Sequence, residues 1–286
     1  MSYDSLEDPT VLVKMYAGHL PRELAISEYE ASRKIYALGI ATPEPGKLVT
    51  DGERIGIMFK RVKGKRSYSR MLSDEPERIE ELSREFARVC KRLHSTHCPE
   101  GLFEGIKEQS LRYLEHNTWL SEEVRERMAD FIRKAPEADT CLHGDMQIGN
   151  VISTLPKGAS LDTPHDILFI DLGFFSRGCP LFDLGMMQCI CIYADESYRQ
   201  RDFHVNGEVT SKVWRYFLDE YFFSEDALSE KYFGKGQTVE SVDRAILPYF
   251  CCKLLMVGYD IGFLPPHFLK VIEEVFSGQW PGRISP

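Results

Sequence analysis

No stretch of the sequence stays apolar for long enough to cross a membrane. The most apolar late run, residues 247–264, is interrupted by Pro248, Lys253 and Asp260. Charges inside a bilayer are rare and expensive, so this run reads as a buried core helix. The first eight residues are acidic and hold no apolar core, so they do not read as a secretory leader, and a cytoplasmic protein is expected. Positive charge is in deficit: 35 Lys and Arg stand against 44 Asp and Glu, a net charge of −9. Such a surface does not draw nucleic acid or anionic lipid by bulk attraction, and neither is an expected partner. Tandem repeats and low-complexity tracts are missing too. Of the eight cysteines, Cys189 and Cys191 form a C-x-C and Cys251 and Cys252 are adjacent. Neither arrangement has a zinc spacing with matching partners, and the cysteines read as free thiols in a reducing compartment.

The composition itself is that of an ordinary globular protein, 43% hydrophobic and 28% charged. A chain of 286 residues has room for one large domain or two lobes. Its character changes near residue 62. Before that point, 11–16 reads as a strand, and Arg22 to Leu38 reads as a helix that follows Pro21 and ends at Gly39. Residues 48–50 and 55–62 read as a hairpin turning at Asp51-Gly52. After residue 62 the pattern is mostly helical. Residues 76–94 carry Ile79, Leu82, Phe86, Val89 and Leu93 at steps of three and four, one face of a helix. Further helices are expected within 106–117, 121–134, 181–193, 211–223, 239–259 and 266–276, with short strands at 151–153 and 167–170. The expected class is α+β, with a small sheet-and-helix lobe over 1–62 and a larger, mainly helical lobe over 63–286.

Residues able to do chemistry concentrate in the second half. His143, Gly144 and Asp145 precede Asn150, which opens a strand. Asp171 and Gly173 follow another strand, and Pro180 to Leu184, with Asp183, open a helix. Mg²⁺ takes hard oxygen ligands and commonly bridges substrate phosphates. Asn150 offers a neutral oxygen and Asp171 a charged one. Asp145 is then left to accept a proton from an attacking hydroxyl, the division of labour found in phosphoryl transfer. Gly173 is expected to let the backbone turn sharply after Asp171.

The ordered set H-G-D-x-x-x-x-N, I-D-x-G and P-x-x-D-L resembles the aminoglycoside phosphotransferase / choline kinase-like family, which shares the protein-kinase-like two-lobe fold. The resemblance implies that Asp145 is the catalytic base, that Asn150 and Asp171 hold Mg²⁺, and that His143 and Asp183 brace the catalytic loop. In the first lobe it implies that Lys14 contacts the nucleotide phosphates. Glu28, or alternatively Glu30, would be its partner. Phe59, Lys60, Arg61 and Val62 would form the hinge that contacts adenine through the backbone. His94 and His97 read as structural.

The activity implied is transfer of the γ-phosphoryl group of ATP or GTP, with Mg²⁺, to a hydroxyl of a sugar, amino alcohol or aminoglycoside-like small molecule. The helices after Asp183 would shape the acceptor pocket. Asp195, Glu196, Asp202, Asp219 and Glu220 there would attract a cation or form a solvated face. Only thirteen residues precede Lys14, none of them glycine, which is too few for the two strands and nucleotide-covering loop that relatives place there. Either the sequence begins late or the first lobe is shortened, with an exposed sheet edge near 11–16 expected in both cases, and a catalytically weak nucleotide-binding or scaffold module is the alternative function. A protein kinase fits less well, because there is no A-P-E segment and no long activation loop between Asp171 and Asp183.

Overall fold

The computed structural model describes residues 2–4, 8–224 and 228–278. Four antiparallel strands form the first sheet, in the order β1 (Ser2–Asp4), β2 (Val11–Met15), β4 (Ile55–Lys60), β3 (Pro45–Thr50). Lys14 lies opposite Ser2 on one side and Ile57 on the other. The edge expected to be bare at 11–16 is therefore covered by β1 along Leu12 to Lys14. The connection from β1 to β2 passes through residues 5–7, which lie outside the described residues. Helix α1 (Arg22–Ala37) packs on β3 and β4. Its buried positions are Ala25, Glu28, Ser32 and Ile35, a three-and-four spacing that puts a carboxylate on the inward stripe.

After β5 (Arg66–Ser67) comes α2 (Tyr68–Asp74), capped by the Ser67 hydroxyl, which accepts from the Arg70 N–H. The helix expected from residue 76 begins instead with a 3₁₀ turn at Pro76–Arg78, and α3 (Ile79–His94) follows. Pro76 has no N–H to donate, and the buried Glu75 before it is extended away from helical geometry. Its carboxylate binds Arg66, Arg78 and the Gly158 N–H at 2.5–3.0 Å. In α3, Leu82, Phe86, Val89 and Leu93 are all buried, as the periodicity requires. Glu80 and Glu81 occupy its first turn and Lys91, Arg92 and His94 its last, matching the helix dipole.

Helices α4 (Ile106–Glu115) and α5 (Glu122–Lys134) lead to four short strands: β6 (Thr140–Leu142), β7 (Val151–Ser153), β8 (Ile167–Phe169) and β9 (Ser176–Gly178). Strand β7 pairs with β8 and β5, and β6 pairs with β9. Strands β5 (RS), β6 (TCL) and β9 (SRG) escape a sequence reading because they lack the aliphatic and aromatic run that marks β7 (VIS) and β8 (ILF), which are no longer. The remaining elements are α6 (Leu181–Gln188), α7 (Glu196–Tyr198), α8 (Gly207–Phe223), α9 (Leu228–Phe233), α10 (Val239–Ile261) and α11 (Pro266–Phe276). A π-helical turn at Cys189–Tyr193 follows α6, and another at Arg199–Phe203 follows α7. Among the described residues no helix is long and apolar enough to cross a membrane. All eight cysteines are buried and free.

Helix α10 contains the apolar run from 247 as far as 261, where the helix ends before Gly262, and packs against α4, α6, α8 and α11. Its closest approach is to α6 at Gly185, where a Cβ would stand 2.5 Å from the Phe250 backbone nitrogen and 2.6 Å from the Tyr249 carbonyl carbon. Backbone atoms cannot yield as a side-chain tip can. Gly185→Ala is therefore expected to destabilise the protein by about 1–3 kcal/mol, the usual range for overpacking. Urea denaturation checks this, and a variant as stable as the parent would show that the two helices separate freely.

Candidate active site

Two nested antiparallel pairs create the site. The loop 143–150 joins β6 to β7, and the loop 170–175 joins β8 to β9. Because β7 pairs with β8 and β6 with β9, the two loops are held side by side, and the Ile170 N–H donates to the Asn150 carbonyl at 2.9 Å. This pairing brings Asp145 and Asn150 alongside Asp171.

Asp183, fully buried at the start of α6, fixes the first loop. Its Oδ2 accepts from the His143 N–H at 2.7 Å and its Oδ1 from the Gly144 N–H at 2.8 Å. His94 Nε2 lies 3.1 Å from Oδ2, and His94 Nδ1 lies 2.8 Å from the Tyr221 hydroxyl. His94 thus donates from Nε2 and accepts from Tyr221. His143 is held as the same tautomer: Nε2 donates to the Ile170 carbonyl at 2.9 Å, while Nδ1 accepts from the Asp145 N–H at 3.3 Å. Gly144 has φ +80°, and a Cβ there would lie 1.8 Å from the Phe174 carbonyl oxygen, so only glycine fits. His97, by contrast, is exposed and pairs with Asp139 at 2.9 Å.

Asn150 donates its amide N–H to the Asp145 carboxylate at 2.8 Å and to the Asp145 carbonyl at 2.9 Å. Across the cleft, Lys14 Nζ lies 2.6 Å from Glu28 Oε1 and 2.6 Å from Asp171 Oδ1. Glu28 is the partner and Glu30 is exposed, which decides between the two. Tyr16, the residue after β2, donates to the other Glu28 oxygen. Burial opposes the charge on Lys14, but Glu28 and Asp171 outweigh it and hold the ammonium pKa above its ordinary value. Burial first, and then the Glu28 charge, push the Tyr16 phenol well up. The sharp turn expected at Gly173 occurs two residues earlier. Asp171 itself adopts the left-handed region at φ 58°, whereas Gly173 is not among the residues with positive φ. Asp is one of the few side chains that tolerate this conformation.

The cleft is lined by Leu12, Phe59, Val62, Ile170 and Leu172 around Lys14 and Asp171, with Lys60 at its margin. Arg61 departs from expectation. It is not among the residues lining the cleft but lines an adjoining depression with Thr10 and Asp166, which shares Lys60 and Val62 with the cleft, and its backbone N–H donates to the Thr10 carbonyl at 2.7 Å. The Lys60 N–H likewise goes to the Glu44 carbonyl at 2.9 Å. Neither N–H is available to a ligand without breaking the sheet margin, and Phe59 and Val62 remain on the cleft wall.

Four groups at the site escaped the sequence reading of the motifs: Tyr16, His94 as a support of Asp183, Tyr198 and Phe203. Phe203 lies 3.1 Å from where a Gly149 Cβ would be, and its ring is 5.5 Å from that of Tyr198. Burial, and next the charge of Asp145, push the Tyr198 phenol up to about 12. An aromatic pair therefore borders the site on the side of the 143–150 loop. The acidic residues after Asp183 are largely neutralised from within. Glu196 pairs with Arg199, Asp202 with Arg201, Asp219 with Arg84, and Glu220 with Arg84 and Arg88. Among the described residues there is no cluster of three or more His, Cys, Asp or Glu able to hold a metal. The Asn150 amide oxygen and the half-exposed Asp171 carboxylate are hard oxygen donors, a partial set that suits a cation carried in by phosphates.

Residues 3–216 match the model of the phosphotransferase enzyme family. The chain belongs to this family. It is a phosphotransferase whose acceptor is a hydroxyl group, and the fold is the kinase-like one of that family. Among solved structures, it is similar to an aminoglycoside-3′-phosphotransferase of type VIII, at 20% identity over 84% of each chain with a TM-score of 0.50. It is also similar to a thermostable mutant of the aminoglycoside phosphotransferase APH(4)-Ia in ternary complex with ADP and hygromycin B. That match has 12% identity over 95% of this chain and 87% of the other, with a TM-score of 0.57. No curated protein matches the phosphotransferase sequence.

Burial raises the pKa of Asp183, but the hydrogen bond from His94 and the positive potential of its surroundings, Lys253 included, outweigh it and hold the carboxyl below its usual 3.8. A depressed folded-state pKa means the stabilisation is complete above the unfolded value and is lost as pH falls through the folded one. Asp183→Asn is expected to cost about 3–5 kcal/mol at neutral pH, as for breaking a buried charged network. It should also flatten the acid limb of the stability–pH profile below about pH 4. Urea titrations from pH 7 to pH 2 read both effects, and an unchanged acid limb would remove Asp183 from the anchoring role.

Proposed function

We propose that this phosphotransferase is an ATP- or GTP- and magnesium-dependent kinase of a small hydroxyl compound, with a nucleotide lobe over 1–62 and a helical lobe over 63–286. The observation that carries the reading is the Lys14 ammonium, held 2.6 Å from both Glu28 and Asp171 beside the loop of Asp145 and Asn150. A cation aimed by one carboxylate and resting on another can transfer to phosphate oxygens when a nucleotide enters. The Lys14–Glu28 pair then orients the phosphates. Asn150 and Asp171 would hold the Mg²⁺, which when bound neutralises charge developing on the phosphoryl oxygens. Leu12, Phe59 and Val62 would pack on the base.

Asp145 would accept the proton of the acceptor hydroxyl. As the hydroxyl oxygen bonds to the γ-phosphorus, the bond to the nucleoside diphosphate breaks and the diphosphate departs with that electron pair. Asn150 keeps the Asp145 carboxylate aimed through the bond at 2.8 Å. His143 and Asp183 serve as braces. The acceptor would lie against the aromatic pair Tyr198 and Phe203. Because Glu196, Asp202, Asp219 and Glu220 are already paired with arginines, polycation attraction by those carboxylates is not what selects it.

Asp145→Asn is expected to lower turnover by roughly 10²–10⁴-fold, the usual contribution of a general base, with nucleotide binding retained. Mg·ATP at about 100 times its Kd should stabilise the parent by about 2.7 kcal/mol. The same titration on Lys14→Met should show a much smaller shift. Full turnover by the Asp145 variant would refute the base assignment. A metal-dependent shift without turnover on any hydroxyl compound would favour the nucleotide-binding scaffold.

A further inference from the structure

Lys253 has no place in the chemistry described so far, yet it sits on the buried part of α10 among Cys251, Cys252, Leu254 and Leu255, all buried. Its residue is 3% exposed, and withdrawing an ammonium from water carries a penalty of several kcal/mol unless it is well satisfied. A methionine or leucine would fill the same space in α10 without that penalty. The Nζ donates to the carbonyl of Gly144, 109 positions earlier in the chain.

That carbonyl belongs to the same planar peptide unit as the Asp145 N–H. The N–H end of the unit donates to His143 Nδ1 at 3.3 Å, so Lys253 and His143 grip the unit from opposite ends. The two preceding peptide units are held through their N–H groups by Asp183. The following carbonyl, that of Asp145, is held by Asn150 at 2.9 Å. Gly144, at φ +80° and without a Cβ, gives the peptide unit that follows it backbone conformations closed to other residues, so that unit needs holding from outside. Rotation of the 144–145 unit would turn the Asp145 side chain away from its present direction.

We propose that Lys253 is a positioning residue for phosphoryl transfer, a buried cation that locks the Gly144–Asp145 peptide and thereby fixes the aim of Asp145. The inference rests on the reading of Asp145 as the base.

The test uses the full chain, Mg·ATP as the nucleotide and water as the acceptor, so no acceptor needs to be known. Hydrolysis is measured for the parent, Lys253→Met, Asp145→Asn and the double variant, with KM for Mg·ATP determined in each. Lys253→Met is expected to lower kcat by about tenfold or more, leave KM for Mg·ATP within about twofold, and have almost no further effect once Asp145 is Asn. Amide hydrogen exchange over residues 143–147 should be faster in Lys253→Met than in the parent. If Lys253→Met lowers kcat equally in both backgrounds, its role is general support of the fold and the proposal is overturned. An unchanged kcat with Asp145→Asn impaired overturns it as well, leaving the base assignment intact. An unimpaired Asp145→Asn would instead overturn the base assignment, and the proposal with it. Lys253→Gln, which keeps an N–H donor without the charge, enters the same cycle if the methionine variant does not fold.

Discussion

Asp183 accepts the backbone N–H groups of His143 and Gly144 and the ring N–H of His94, and the direction of Asp145 follows from that anchorage. A carboxylate fully enclosed by protein is tolerable only when its lone pairs are met by donors. The donors available are the peptides of the loop that holds the proposed base. The satisfaction of one buried charge and the shape of the 143–150 loop are thus the same set of hydrogen bonds. Removing any donor would leave a charge poorly solvated in the core, which explains why His94, in turn tied to Tyr221, belongs to the site although it touches none of the groups facing the cleft.

A second charged centre joins the first sheet to this loop. Lys14 bridges Glu28 on α1 and Asp171 after β8, linking residues 157 positions apart. Asp171 reaches that position from a left-handed backbone conformation, which non-glycine residues adopt at some energetic cost. Such local strain persists where the surroundings over-determine it. Here the β7–β8 and β6–β9 pairings and the Ile170–Asn150 hydrogen bond do so.

The parts of the fold visible in the sequence were those with a long period. The stripe of α3, the helix α1 and the β3–β4 hairpin follow from spacing and turn residues that need no distant partner. What was not visible depends on contacts between distant segments. β6 and β9 are three residues each and exist as strands because they pair with one another. The 3₁₀ turn before α3 reflects Glu75 binding Arg66 and Gly158. The Arg61 N–H is taken up by the Thr10 carbonyl, a strand-margin detail that no local pattern encodes.

The identity of the chemistry was determined by the sequence alone. Asp145, Asn150 and Asp171 stand in an order and spacing that short loops between strands can bring together, and each side chain's chemistry is intrinsic to its type. The choice of Glu28 over Glu30, the tautomers of His94 and His143, and the use made of Lys253 were decided only by tertiary structure. A helix offers both glutamates to solvent or core according to what packs against it, and an imidazole takes the tautomer its neighbours demand. Lys253, in the same way, is an anomaly in an apolar helix until the Gly144 carbonyl is placed beside it.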